Sequence, residues 1–464
     1  MKPIFLELLN KIYTSRKVPE QMKIARILPL LKKGDKHNIE NYRPISNICS
    51  LAKVFEKMIL NRLKDFEENF KIDLTGTSQH GFKSKHSTIT AGLELQSKIA
   101  NKLDKGEYVV VSSFDLSAAF DVVNRNLLVK RMKVAGFPLD MIELLKDWLG
   151  DRHFYVEIAG KRSALKKEKH GTIQGSVLGP ILYSIFVKPI YDLLNLLSYA
   201  DDNYLVESGR DLDSTLGKVK MKAEFLLKWY RDSGLKVNET KTEVCIFSHV
   251  DTEPKNITLQ GKLITTNKSI KVLGVLFDSK LTWIPHINSA ISGARKKLQA
   301  IKLLSKYLSR EKLIQVSTAF FYQKLYYGCQ IWLGKHLNQS IKQKLLAASS
   351  QCLRICCKDY QKRYSYDMLH RLCNRATPNM WSDYATITLI HQILAEKRPL
   401  FLYETLCQKT VWHDRSNTIY VRPDNARRVG TNCISNRVMN LMKMIDKKDY
   451  ELSNERFKKL AKRK

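Results

Sequence analysis

Two adjacent carboxylates stand in Tyr199-Ala200-Asp201-Asp202, between the mostly apolar stretch Leu193–Leu197 and the short run Tyr204–Val206. Paired acids at a turn repel each other unless a cation sits against them. Mg²⁺ takes hard oxygen ligands of this kind together with a phosphate substrate. A solvated turn is the competing reading, since Asp and Asn are ordinary turn residues. A third acid, Asp115, follows the β-branched and aromatic run Tyr108–Phe114, where it is either a metal ligand or the N-cap of the next helix. Lys32 and Arg43 flank a loop containing Gly34. A point charge and a planar fork can clamp a triphosphate, or stand as solvated surface charges. Leu116 and Ser117 open a step from strand to helix, whose backbone N–H groups can hold phosphate oxygens. Phe120, in the same step, is bulky enough to exclude a sugar 2′-hydroxyl, or is a core ring. Gln174 lies in the glycine-bounded loop Gly171–Gly175; it can hydrogen-bond a base, a sugar or a template backbone, and Gly175 permits close approach of another chain. A plain connector is the alternative. Lys241 can protonate a departing pyrophosphate, or be solvated.

Elements must bring these groups together. The paired acids are expected on a hairpin, with Asp201 and Asp202 at or near its tip. Lys23–Leu30 reads as a strand after a short amphipathic helix. Ser50–Lys64 has Leu51, Val54, Phe55, Met58, Ile59 and Leu63 at helical spacing and predicts a core-facing helix. Ser87 and Thr88 are expected to cap a helix to about Lys102, and residues 116–121 to lead into a helix through Val134. A buried helix is expected from Ser176, and Lys271–Phe277 reads as one strand with Gly274 at its centre. From about Trp283 the pattern is helix after helix: Ile287–Leu304, Arg310–Leu325, Ser340–Lys358 and Met380–Glu396. Cys352, Cys356, His370 and Cys373 match no compact zinc spacing and read as buried core groups. Residues 455–464 form a basic tail.

If Asp115, Asp201 and Asp202 fall at strand ends in one antiparallel sheet, they would hold two metal ions. One would activate a 3′-hydroxyl and the other would steady the leaving pyrophosphate. The basic loop would clamp the phosphates. Together the parts describe a nucleotidyl transferase.

Composition agrees. The 464 residues carry 79 Lys+Arg against 45 Asp+Glu, a formal charge of +34, which predicts a polyanionic partner and salt-sensitive binding. No apolar run approaches the roughly twenty residues of a membrane span, so no membrane partner is expected. Nine cysteines without a framework fit reduced thiols in an intracellular protein of nucleus and cytoplasm.

The chain resembles the reverse transcriptases of non-LTR retrotransposons, especially the jockey-like elements. The resemblance is dense over residues 1–290 and thinner to about 400. Leu31-Lys32-Lys33-Gly34-Asp35 and Tyr42-Arg43-Pro44-Ile45-Ser46 are similar to the family's fingers motifs, implying Lys32 and Arg43 as triphosphate contacts. Gln79-His80-Gly81-Phe82 with Ser87-Thr88 resembles a template-side motif, implying primer or template contacts for Gln79 and Gly81. Phe114-Asp115-Leu116-Ser117-Ala118-Ala119-Phe120-Asp121 resembles the first metal motif, with Phe120 as sugar gate and Leu116 and Ser117 beside the nucleotide. Gln174-Gly175-Ser176-Val177-Leu178-Gly179-Pro180 resembles the nucleotide and template motif, and Tyr199–Asp202 the catalytic hairpin. Leu235, Asn238 and Lys241 fit the motif carrying the proposed general acid, and Leu273-Gly274 the primer grip.

The resemblance implies an α+β right-hand polymerase. Its mixed α/β fingers and antiparallel-sheet palm would occupy 1–280, a helical thumb 281–375, and a basic, mostly helical region 376–464. It implies an RNA-directed DNA polymerase using two Mg²⁺ or Mn²⁺ ions, deoxynucleoside triphosphates, an RNA template and a DNA primer or target; it names no protein partner. Thr172-Ile173 stands where the family often has Val-Pro, and Asn203 where Thr is common. An endonuclease usually precedes this region, and no RNase H-like acidic set is evident downstream. The expectation is therefore a truncated element's product, with an inactive polymerase-derived nucleic-acid-binding protein as the alternative. Phe120 argues against an RNA-directed RNA polymerase.

Overall fold

The structure, a computed structural model, describes residues 2–32, 34–334, 337–407, 410–412 and 419–421. The chain forms two compact units. The first comprises Met1–Lys83, Ser113–Leu205 and Lys220–Thr242; the second comprises Ser84–Ser112, Val206–Val219 and Glu243–Lys464.

In chain order the elements are α1 (Lys2–Ser15), β1 (Ile24–Leu31), β2 (Tyr42–Ile48), α2 (Ser50–Phe70), α3 (Thr88–Leu103) and β3 (Tyr108–Ser117). Then come α4 (Arg125–Val134), α5 (Leu139–Leu149), β4 (His153–Ile158), β5 (Lys161–Arg162), β6 (Lys166–Lys167) and α6 (Gly179–Leu194). They are followed by β7 (Leu197–Tyr199), β8 (Asp202–Gly209), α7 (Leu212–Asp232), β9 (Lys236–Val237) and β10 (Glu243–Phe247). The last labelled strands are β11 (Asn256–Leu259), β12 (Lys262–Thr265), β13 (Ser269–Val272) and β14 (Val275–Asp278).

The first unit holds two sheets. One has the order β2-β1-β4-β5, with β6 also on β4; β1 runs antiparallel to β2 and parallel to β4. In the other, β3 pairs with β8, β8 with β7, and β9 with β3. Helix α6 is the centre of this unit. All seven residues from Ile181 to Val187 are buried, as expected of a helix that is apolar all round. Each such Leu, Ile or Phe contributes about 1.5–3 kcal/mol by leaving water. Its start is set by Pro180 in the first turn and by the Ser176 hydroxyl, which accepts from Gly179 N at 2.7 Å. The helix therefore begins three residues later than expected from sequence. The buried Glu56 carboxylate accepts from Val177 N at 2.7 Å and fixes the preceding loop.

In the second unit, Ser87 and Thr90 form a capping box at the start of α3, as the sequence suggests. β11 pairs with β12 and β13 with β14, both antiparallel. Helices then follow over Ile284–Arg295, Leu298–Leu304, Arg310–Ser317, Gln339–Cys356, Tyr366–Leu372, Pro378–Glu396 and Leu400–Cys407. Cys352, Cys356, His370 and Cys373 are buried, and among the described residues no group of His, Cys, Asp and Glu is arranged as a metal cage. The core reading of these residues holds.

Several boundaries move. α2 runs on to Phe70, and Val54, expected in the core, is 53% exposed. β3 continues to Ser117 because Leu116 and Ser117 pair with Val237 and Lys236 of β9. Asp115 thus lies within the strand, and the N-cap of α4 is Asn124, whose side chain accepts from Leu127 N. Lys271–Phe277 is a hairpin rather than one strand. Val272 faces Val275, leaving Leu273 and Gly274 as a two-residue turn with φ of +47° and +90°. Positive φ at both central residues is the geometry whose twist matches antiparallel strands. The helix expected over Ile287–Leu304 is interrupted after Arg295, while the one expected over Arg310–Leu325 runs its full length with a π segment at Thr318–Tyr322. No helix among the described residues is long and apolar enough to cross a membrane. The basic tail at 455–464 lies outside the described residues.

Candidate active site

The paired acids sit on a tight hairpin. Leu197, Ser198 and Tyr199 of β7 face Tyr204, Asn203 and Asp202 of β8, so Ala200 and Asp201 make the turn. Ala200 has φ +57°, a region that costs a non-glycine residue about 1 kcal/mol or more. Gln79 holds it there. Its Oε1 accepts from Ala200 N at 3.0 Å and from Gly81 N at 2.7 Å, and its Nε2 donates to Ala200 O at 3.3 Å. His80 N donates to Ser198 O at 2.8 Å, and Ser198 N to Ser78 O at 3.0 Å. The segment Ser78–Gly81 is thus laid along β7, and the neighbours over-determine a strained turn.

Asp115 lies on β3, which pairs with β8. The three carboxylates sense one another. Asp202 is pushed up to about 6, first by burial, then by Asp201 and Asp115, against the pull of Lys241. Asp201 is also raised, by burial and by Asp115, while Arg43 and Lys32 pull it down. Lys32 and Arg43, at the first sheet, are thus the cations whose charge reaches Asp201. Lys32 and Arg43 are exposed, and neither is ion-paired among the described residues. Lys241 donates to Asp115 Oδ2 at 2.6 Å and puts an ammonium in direct contact with the acids.

This donor set suits a hard divalent cation: oxygen ligands only, half-buried, and mutually repelling. Among the described residues no three ligating groups already close about one point, and an ammonium occupies the place of positive charge at Asp115.

The loop carrying Gln174 is stitched to the step after β3. Thr172 N donates to Phe120 O at 2.7 Å and Gly171 N to Val123 O at 2.9 Å. Gly171, at φ +89°, would put a Cβ 2.6 Å from Asp121 O. On the other side Ser46 N donates to Gln174 O, and a Cβ on Gly175 would lie 3.0 Å from Ser46 O. Gln174 Oε1 is buried without a hydrogen-bond partner among the described residues. The Phe120 ring packs on Tyr183 at 4.7 Å and meets Phe82 edge-on at 5.9 Å.

The structure therefore brings Lys32, Arg43, Asp115, Phe120, Gln174, Gly175, Asp201, Asp202 and Lys241 into the first unit, Lys32 and Arg43 at one of its sheets and the three acids at the other. Four residues have places set by packing rather than by an exposed contact surface. Gln79 is fully buried with its amide engaged on the hairpin, so it shapes the turn from behind. Leu116 is buried at 3% and paired to β9, a core position, and Ser117 is paired likewise. Gly81 is where it is because Ala200 N would lie 2.2 Å from any Cβ. Leu273 and Gly274 belong to the second unit. There Tyr327 Oη donates to Leu273 O at 2.9 Å and stands 3.0 Å from the Thr88 hydroxyl, with its ring against Gly274.

Sequence reading missed Tyr327, which belongs to no local pattern. It also missed Arg125, whose guanidinium donates to Gly171 O at 2.9 Å and pairs with Glu168 at 2.9 Å. Asp121 is a further carboxyl pushed up to about 6, by burial first and Glu168 second.

The family described as reverse transcriptase (RNA-dependent DNA polymerase) matches residues 31–277, more than half of the chain, and the chain belongs to that family. The probable RNA-directed DNA polymerase from transposon BS of Drosophila melanogaster is 31% identical over 339 residues, covering 70% of this chain and 37% of that protein. The RNA-directed DNA polymerase from mobile element jockey of the same species is 27% identical over 354 residues, covering 72% and 38%. The resemblance to jockey-like non-LTR elements is borne out, and the chain spans less than two-fifths of the length of these relatives. Among solved structures, apo telomerase from Candida tropicalis aligns over 86% of this chain and 73% of that one, at 15% identity and a TM-score of 0.40. Reverse transcriptases as a family use divalent metal ions and bind nucleic acid.

Proposed function

We propose that the chain is an RNA-directed DNA polymerase of right-hand architecture, with fingers and palm over 1–280, a helical thumb over 281–375 and a basic C-terminal region over 376–464. It would extend a DNA primer on an RNA template with deoxynucleoside triphosphates. The observation that carries this reading is the mutually repelling cluster of Asp115 on β3 with Asp201 and Asp202 of the β7–β8 hairpin, whose Asp201 feels the charges of Lys32 and Arg43.

Asp115, Asp201 and Asp202 would hold two Mg²⁺ or Mn²⁺ ions, which supply an activated 3′-hydroxyl and a neutralised pyrophosphate leaving group. Lys32 and Arg43 bind the triphosphate oxygens, Arg43 as a fork and Lys32 as a point charge. Lys241 carries a proton at Nζ that the leaving pyrophosphate can take. Gln174 would hydrogen-bond the nucleotide or template through its side-chain amide, with Gly175 permitting close approach. The backbone at Leu116 and Ser117 lines the floor beneath the triphosphate. Gln79 and Gly81 hold the hairpin, and Leu273-Gly274 supports the primer. The eight described cysteines are free thiols, in keeping with a place inside the cell, in nucleus and cytoplasm.

Primer extension on an RNA template is the test. Purified chain should extend a DNA primer with Mg²⁺ or Mn²⁺ and stop on chelation. Tight RNA binding with no extension under either metal would sink the enzyme and leave the inactive binder. Phe120 carries a second prediction. Phe120→Ala should raise ribonucleotide incorporation about tenfold or more by removing the bulk beside the 2′ position; unchanged sugar preference would refute the gate.

A further inference from the structure

Phe82 is a bulky ring left 57% exposed at φ +61°, a conformation that disfavours residues other than glycine. A lone exposed Phe on a surface loop needs no explanation. This one is held in place. The backbone immediately before it is fixed to the acidic hairpin through the Gln79 amide, the His80 N–H and the Gly81 contact described above. Its ring then meets Phe120 at 84°, centroids 5.9 Å apart, while Phe120 also packs on the ring of the fully buried Tyr183. Phe120 thus touches one fully buried ring, Tyr183, and one largely exposed ring, Phe82.

We propose that Phe82 is a positioning residue for sugar selection: it keeps the Phe120 ring in the orientation that excludes a 2′-hydroxyl. The proposal rests on the polymerase reading and on Phe120 as gate, and names the residue that makes the gate stiff. An edge-to-face aromatic pair contributes enough to matter and little enough to leave the fold intact. Without it, Phe120 can swing toward the space Phe82 leaves, and a ribose fits. Because the Gln79–Ala200 contacts are made by the backbone and by Gln79, removing the Phe82 side chain leaves the acidic turn untouched.

The test uses the full chain on an RNA template with a dideoxy-terminated DNA primer, so that nucleotide affinity is read without turnover. The ratio of dGTP to GTP affinity opposite C is measured for wild type, Phe82→Ala, Phe82→Tyr, Phe120→Ala and the double Ala variant. Phe82→Ala should lose about three- to tenfold of the discrimination with dGTP affinity unchanged, and Phe82→Tyr should keep it. The double variant should discriminate no worse than Phe120→Ala alone. Wild-type discrimination in Phe82→Ala, or losses that multiply in the double variant, would overturn the proposal while leaving the gate intact. An inert Phe120→Ala overturns the gate and this proposal together, and failure to bind either nucleotide overturns the polymerase reading beneath both.

Discussion

Asp202→Asn is expected to lower primer extension by about a thousandfold or more, and at the same time to make the protein more stable at neutral pH. The loss follows from neutralising one of the three carboxylates that would hold the metal ions, where each 1.36 kcal/mol is about tenfold in rate. The gain follows from the same electrostatics. The Asp202 carboxyl sits at about 6 in the fold, above its ordinary value, because of burial and then Asp201 and Asp115. A raised folded value means the native state favours the protonated acid. That contribution is full below about pH 4 and is lost as pH rises through about 6. Above pH 6 the ionised group is a net cost to folding. It is partly open to water, so roughly 1 kcal/mol after screening is the scale. Asn removes the cost, so the melting temperature of the variant should exceed wild type at pH 7–8 and converge with it near pH 4. Mn²⁺ should stabilise wild type and do little for the variant. Retained extension, or a stability gain that ignores pH, would contradict the assignment of Asp202 to the acidic cluster.

That cluster was legible in the sequence because its signals are local. Tyr199–Asp202 lies between two apolar runs, and Asp115 ends a run of strand formers, so hairpin and strand could each be read within about ten residues. Helices with strong caps were equally readable, as Ser87 before α3 shows. What stayed hidden depends on distant partners. β3 reaches Ser117 only because β9, more than a hundred residues later, supplies a ladder for Leu116 and Ser117. Lys271–Phe277 looks like one strand because Leu273 is an unusual residue for a turn with φ +47°; Tyr327 Oη on its carbonyl helps hold it. Gln79 reads as a polar residue for a nucleic acid, and its burial behind Ala200 is a fact about two segments 121 residues apart. Residue types advertise chemistry; which side of the site a polar group serves is decided by packing.

The sharpest consequence of that packing is at Gly81. A Cβ there would stand 2.2 Å from Ala200 N and 2.9 Å from Ala200 Cα, both backbone atoms. Neither can yield cheaply, because Gln79 bonds the N–H and carbonyl of Ala200, and His80 and Ser78 are tied to Ser198. Gly81→Ala must therefore displace the turn bearing Asp201 by a sizeable part of an ångström. Displacements on that scale cost about a hundredfold in rate even far from the reacting atoms, and overpacking costs about 1–3 kcal/mol or more in stability. The variant should thus lose about a hundredfold in kcat for extension and melt several degrees lower, with RNA affinity close to wild type because the basic surface is unchanged. Gly217→Ala is the matched control. It adds the same methyl group in helix α7 with nothing within 4 Å, and should gain up to about 1 kcal/mol with no change in kcat. If Gly81→Ala extended primers like wild type, the hairpin would not depend on the Ser78–Gly81 segment, and the strain at Ala200 would need another source of support.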